Sequence, residues 1–202
     1  MSDTPLTHSD NQEPTAFTQA QLEWLPWLPP LPEDELTDRH CAGLVDAARA
    51  KSPYFRLLAR DPDTLGARTR SDKDIFYNPD AGLPRAEREL SATATLRFNG
   101  CIYCASVHAR FASHFSHREG DVQRLLDEGV SADLGPRWNA IVAASAALSA
   151  TPSDFGPEHI DGLRAVGLDD YAIADALQGA AFFNWANRLM LSLGEPQLQV
   201  GG

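Results

Sequence analysis

Apolar residues recur at helical spacing along most of this chain. Cys41, Leu44, Val45 and Ala48 follow Thr37, a residue type that caps helix N-termini. Val122, Leu125 and Leu126 repeat in the same way before Gly129, as do Trp138, Ile141, Val142 and Ser145. Ile160, Leu163 and Val166 precede Gly167, which suits a left-handed helix stop. The longest helix is expected to begin at Asp169–Asp170, whose charges favour a helix N-terminus, and to run to about Leu193 before Gly194. Within it "GAAFFNWANRLML" is apolar on nearly every face, which predicts a central core helix or an oligomer interface. Asn184, Asn187 and Arg188 are polar groups there that need partners.

The stretch "LSATATLRF" (90–98) breaks the pattern by alternating apolar and polar residues, a strand signal. A strand feeding a CxxC helix would suggest a thioredoxin-like fold. Against this, "LPRAERE" (83–89) reads as a helix start, with Pro84 in the first turn and acidic residues behind it. A lone central strand would also have nothing to pair with. The segment is therefore assigned to a helix, and the fold class to all-α.

The N-terminal region has no such periodicity. Residues 1–15 are polar and are expected to be disordered. Residues 16–35 contain "LEWLPWLPPLPEDE", whose four prolines forbid a regular helix and predict an extended arm. Trp24 and Trp27 need burial, so the arm is expected to pack on the body or on a neighbouring subunit rather than to serve as a proline-rich ligand. Residues 36–202 are then one helical domain.

A formal net charge of −11 over 202 residues argues against nucleic acid, which demands a basic face. No apolar run approaches the roughly 20 residues that span a bilayer, so no membrane association is expected. The first residues lack the basic and apolar regions of a secretory signal. Three cysteines are too few, and too odd in number, for a disulfide scaffold, so the expected compartment is the reducing cytoplasm.

Two of those cysteines lie in "RFNGCIYCASVHARF" (97–111). With a helix beginning near Asn99–Gly100, Cys101 and Cys104 are i,i+3 neighbours, within reach of a disulfide. His108 is i+4 from Cys104 on the same face. The first turn of a helix also offers N–H groups that stabilise a thiolate. The gain from that is small. Lowering a thiol pKa from about 8.5 to about 6.5 raises the thiolate fraction roughly 25-fold at pH 7 but costs roughly eightfold in nucleophilicity, a net factor of about three. A positioned acid is worth about 10²–10⁴. His108 therefore makes more sense as a proton shuttle.

Other chemistries fit the spacing less well. Attached haem requires the histidine directly after the second cysteine, where this chain has Ala105. Structural zinc needs a fourth ligand, and Cys41, His114 and His117 lack the usual spacing. Two buried thiols with no chemistry are the bland alternative. A redox dithiol without metal or cofactor is the favoured reading.

The segment "LPRAERELSATATLRFNGCIYCASVHARF" (83–111) resembles the alkylhydroperoxidase AhpD / carboxymuconolactone decarboxylase superfamily, whose E-x11-C-x2-C-x3-H motif it carries in register from Glu89. The tail "FFNWANRLMLSLG" (182–194) is similar to that of the branch of uncharacterised peroxidase-related proteins. The resemblance implies an AhpD-like helical bundle with its motif core at 83–118, a homo-oligomer, and a dithiol that reduces small or organic hydroperoxides; the surplus apolar surface of arm and tail makes a dimer the simplest oligomer. It implies Cys104 as peroxidatic thiol, Cys101 as resolving thiol, and Glu89 with His108 as a proton relay reset by an external dithiol reductant. The best-known members carry a histidine between the cysteines, where this chain has Tyr103, a further candidate site residue. A redox sensor or structural oligomer of the same fold is the competing reading.

Simple geometry supports the relay. Two antiparallel helices meeting at Gly100 would place Glu89 about 16 Å up one and His108 about 12 Å up the other, a mismatch of about 4 Å that a glutamate side chain spans. The alternative for Glu89 is a surface charge paired with Arg85 or Arg88.

Overall fold

The structure is a computed structural model that describes residues 4–199. Its architecture is all-α, with nine α-helices and one two-stranded ribbon among the described residues. Strand β1 (Leu22–Pro26) is followed by α1 (Asp38–Leu44), α2 (Pro53–Leu58), α3 (Pro62–Tyr77), α4 (Arg85–Asn99) and α5 (Ile102–Ser116). Then come α6 (Glu119–Glu128), α7 (Pro136–Ser149), α8 (Pro157–Ala165), α9 (Asp170–Leu193) and strand β2 (Gly194–Leu198).

Helix ends follow local chemistry. Thr37 and Asp169 accept from the backbone N–H groups of His40 and Ala172, which caps α1 and α9. The expected apolar stripes of α6 and α7 face the core. The stripe of α1 does not hold. The helix ends at Leu44, Val45 turns the chain at φ 65°, and of the four residues read as one face only Leu44 is buried. Cys41, which its place in that stripe would bury in the core, is exposed.

The centre of the molecule is α4, packed chiefly against α5, α9 and α7. Every residue from Glu87 to Leu96 is buried. This explains the strand-like alternation of 90–98: the helix is buried all round, so its polar positions need not gather on one face. They satisfy themselves at short range. Thr93 Oγ1 donates to the Glu89 carbonyl at 2.8 Å, and Ser91 Oγ to the Ala176 carbonyl of α9 at 2.6 Å. The segment 179–191 of α9, read as a central core helix or an oligomer interface, packs on α4 and leaves Trp185 and Leu191 exposed.

The arm was expected to be extended, and its pairing partner is the tail. β1 and β2 run antiparallel, Leu22 opposite Leu198 and Pro26 opposite Gly194. Trp24 is buried edge-on against Tyr54 of α2. Its ring and the Leu25 carbonyl lie so close to Gly194 that a Cβ there would collide with both. Of the segment expected to be disordered, residues 1–3 lie outside the described residues; residues 4–15 correct the expectation. They run along the ribbon: Leu6 N–H donates to the Trp27 carbonyl at 2.7 Å, and Gln12 accepts from Leu198 N–H at 2.9 Å. Polar composition predicts disorder only where no edge offers partners, and this ribbon offers them. Arm and tail thus bury each other within one chain, which removes much of the surplus apolar surface that suggested a dimer.

Candidate active site

Helix α4 ends at Gly100 in the left-handed conformation (φ 83°), and the chain reverses into α5 with Cys101 at its N-cap. This turn sets the four motif residues on facing sides of an antiparallel pair. Both cysteines are free and buried, 3% and 5% exposed. The Cys101 and Cys104 sulfurs are 2.8 Å apart, and Cys104 Sγ is 3.2 Å from the thioether sulfur of Met190 on α9. The Cys101 S–H is placed to donate to Cys104, and the Cys104 S–H to Met190.

One turn further along α5, His108 Nδ1 meets Glu89 Oε2 at 2.6 Å. Glu89 is fully buried, and its other oxygen accepts from Arg85 Nε at 2.6 Å. The two readings weighed for Glu89 are therefore joined: it pairs with Arg85 and holds the histidine, but inside the core. Arg85 is itself fixed by donating to the Phe76 carbonyl. The imidazole is wedged between aromatic rings, 4.1 Å from Phe183 and 5.5 Å from Phe76 between centroids. With Nδ1–H given to the carboxylate, Nε2 is the nitrogen left to exchange a proton.

Burial, with the neighbouring Cys101 sulfur adding repulsion to any thiolate, pushes the Cys104 thiol well above its ordinary range. The stabilisation of thiolate expected from the helix N-terminus is present but outweighed, because desolvation opposes any charge on sulfur here. The resting state is the thiol, and reactivity depends on a base that removes its proton.

Cys104, His108, Glu89, Arg85 and Met190 line one cavity of about 190 Å³. Tyr103 lies at its wall, and burial raises its hydroxyl to about 12. The sequence reading missed three other lining residues, Tyr54 on α2 and Arg68 and Asp72 on α3. They stand 32 to 50 residues from Cys104 in the chain, and nothing in their local pattern marks them. Met190 lay in the apolar tail without a role.

The remaining candidates are elsewhere. His114 packs on the Phe115 ring and His117 ends α5 in a left-handed conformation. Among the described residues no group of three His, Cys, Asp or Glu side chains is placed to hold a metal ion. Asn184 and Asn187 accept from Asn99 Nδ2 at 2.8 and 3.3 Å, and Arg188 donates to Asn184 at 3.2 Å. These three tie the end of α4 to α9, next to the turn that carries Cys101.

Residues 62–147 match the carboxymuconolactone decarboxylase family. No curated protein matches the chain. Among solved structures, the fold is similar to the AhpD core of an uncharacterized peroxidase-related protein from Ralstonia eutropha JMP134 (TM-score 0.70, 22% identity, 82% of this chain and 88% of that one). It is also similar to an uncharacterized peroxidase-related protein from Silicibacter sp. TM1040 (TM-score 0.68, 22% identity, 95% and 96%). A third similar fold is that of the debrominase Bmp8 without ligand (TM-score 0.65, 19% identity, 81% and 88%).

Proposed function

We propose that this chain, whose residues 62–147 match the carboxymuconolactone decarboxylase family, is a thiol-dependent, peroxidase-like oxidoreductase of the AhpD type that reduces small or organic hydroperoxides. The observation that carries the reading is the 2.8 Å approach of two buried, free thiols, of which Cys104 lines the cavity shared with the Glu89–His108 pair. His108 Nε2 takes the Cys104 proton, and Glu89 stabilises the imidazolium that forms. The Cys104 thiolate attacks the outer oxygen of RO–OH. The O–O bond breaks, an S–O bond forms, and His108 returns the proton to the departing alkoxide, giving ROH and Cys104 sulfenic acid. The Cys101 sulfur then displaces water to close the disulfide. An external dithiol resets the pair with two electrons and two protons, which requires a reducing compartment, here the cytoplasm.

Turnover assays that pair several hydroperoxides with dithiothreitol and protein dithiols test the proposal. Cys104→Ser is expected to abolish turnover. Cys101→Ser is expected to stop after one peroxide and to leave a sulfenic acid that dimedone traps. Stoichiometric oxidation without a second turnover under every pairing would favour a redox sensor instead. The exposed Trp185 and Leu191 of α9 supply apolar surface for a homodimer, for which light scattering is expected to give twice the chain mass.

A further inference from the structure

Arg68 and Tyr54 line the cavity over Cys104 and serve nothing in the relay. Arg68 Nε, Arg68 Nη1 and the Tyr54 hydroxyl are buried and make no hydrogen bond of normal geometry, and the guanidinium lies close enough to the hydroxyl to act on its charge. Arg68 is 8% exposed and Tyr54 6%, so water does not readily satisfy them. The nearest carboxylate to Arg68 belongs to Asp72. Its Oδ2 lies 3.7 Å from Arg68 Nη1, too far for a hydrogen bond, and 3.2 Å from Arg49 Nη2. One carboxylate thus serves two guanidinium groups, while Glu89 is matched by Arg85. Among the described ion pairs, Arg49, Arg68 and Arg85 share two carboxylates, Asp72 and Glu89, so the guanidinium charges outnumber them by one. This surplus sits inside a chain of formal charge −11.

Neighbouring groups do not remove the surplus. The Phe182, Phe55 and Tyr54 rings stand 5.3, 5.5 and 6.0 Å from the Arg68 guanidinium, which favours the cation, and the neutral Tyr54 hydroxyl beside it supplies a dipole but no counter-charge. The Cys104 sulfur is held as a thiol by burial and points its proton at Met190. Burial also raises Tyr54 to about 12, so its hydroxyl remains a donor through the neutral range. An anionic group with two acceptor lone pairs would complement the Arg68 charge and the Tyr54 hydroxyl. The rest of the lining, including Phe76, Val107, Phe111 and Phe183, is apolar.

We propose that this cavity recognises a small, largely apolar organic acid whose carboxylate accepts from Arg68 and Tyr54. If the peroxidase reading above holds, the substrate is a hydroperoxide that carries its own carboxylate. The charge is then held on the Arg68 side while the O–O bond reaches Cys104. The cavity volume of about 190 Å³ admits one ring or a short branched chain.

The test is equilibrium binding to the reduced full-length chain by titration calorimetry, with para-isopropylbenzoate and its neutral amide as probes. Protection of Cys104 from iodoacetamide is followed in parallel. The carboxylate is expected to bind roughly 10- to 100-fold more tightly than the amide, as charge-assisted hydrogen bonds differ from neutral ones, and to protect Cys104. Arg68→Gln is expected to abolish that preference. Tyr54→Phe, which keeps the ring and hence the packing, is expected to reduce it. Equal binding of the two probes, no binding of either, or a preference that survives in both variants would overturn the proposal. Peroxide turnover is read separately. Carboxylate selectivity without any turnover would refute the peroxidase reading and leave the acid site standing, whereas turnover with no preference for acids would refute the acid site alone.

Discussion

Two glutamates show how differently the core and the ribbon hold a carboxylate. Glu89, at the centre of α4, is fully buried and takes one arginine and one histidine. Glu195, on β2, is half-buried and takes two neutral donors, Trp27 Nε1 at 2.9 Å and Asn11 Nδ2 at 3.0 Å. Where water is excluded, a carboxylate needs a full opposite charge, because dipoles alone do not repay its desolvation. Near the surface, water supplies what the dipoles do not. The partners also differ in sequence distance, four and 19 residues for Glu89 against 168 and 184 for Glu195. The first arrangement belongs to one helical hairpin; the second closes the two ends of the chain on each other.

Removing Glu89 should have the largest effect. Glu89→Ala strands the Arg85 charge in the core and frees His108, and is expected to destabilise the fold by about 3–5 kcal/mol in urea denaturation. Glu89→Gln keeps the shape and one acceptor. Its main effect is expected in catalysis, a loss of about 10²–10⁴ in turnover, because the imidazolium loses its counter-charge.

In the ribbon, Trp24→Ala is expected to cost about 3 kcal/mol, as large buried aromatics do when truncated. Trp24 packs on Tyr54, which lines the cavity, so a second signature is expected. The variant should lose selectivity for charged ligands as Tyr54 loosens, while its Cys101–Cys104 pair still oxidises. Glu195→Gln should cost only about 0.5–1.5 kcal/mol and leave turnover unchanged. A fall in turnover would mean that the ribbon and the relay are coupled, and would break the contrast drawn between them.

The same contrast explains what could be read from the residues alone. Cys101, Cys104, His108 and Glu89 were legible because i,i+3 and i,i+4 spacing, and a hairpin turning at Gly100, fix their relative positions with few assumptions. The caps Thr37 and Asp169 were legible for the same local reason. Arg68, Tyr54 and Asp72 were not, since only tertiary packing of α2 and α3 brings them to Cys104. The ribbon was hidden because Pro26 and Pro196 interrupt both strands and the pairing spans nearly the whole chain. The alternation in 90–98 pointed the wrong way because a helix buried on every side has no polar face to display. Cys41 was misjudged because four residues at helical spacing suggest a stripe even when the helix ends before the last two.

Cys41 and Cys104 give the mildest test, which leaves the fold untouched. Cys41→Ser is expected to change stability by no more than about 0.5 kcal/mol, as exposed substitutions do. Iodoacetamide should label Cys41 first, because only that thiol is exposed. Cys104 should lag, and its rate should keep rising about tenfold per pH unit beyond the ordinary thiol range near pH 8.5, since burial pushes its titration upward. The sign for stability follows from proton counts. Above about pH 8.5 the unfolded chain releases the Cys104 proton while the folded chain retains it, so stability falls with rising pH until the folded thiol also titrates. Cys104→Ser should remove that component of the alkaline decline, and Cys41→Ser should not. Labelling of Cys104 that levels off at pH 8 would mean that a charge in the cavity, not burial, governs its sulfur.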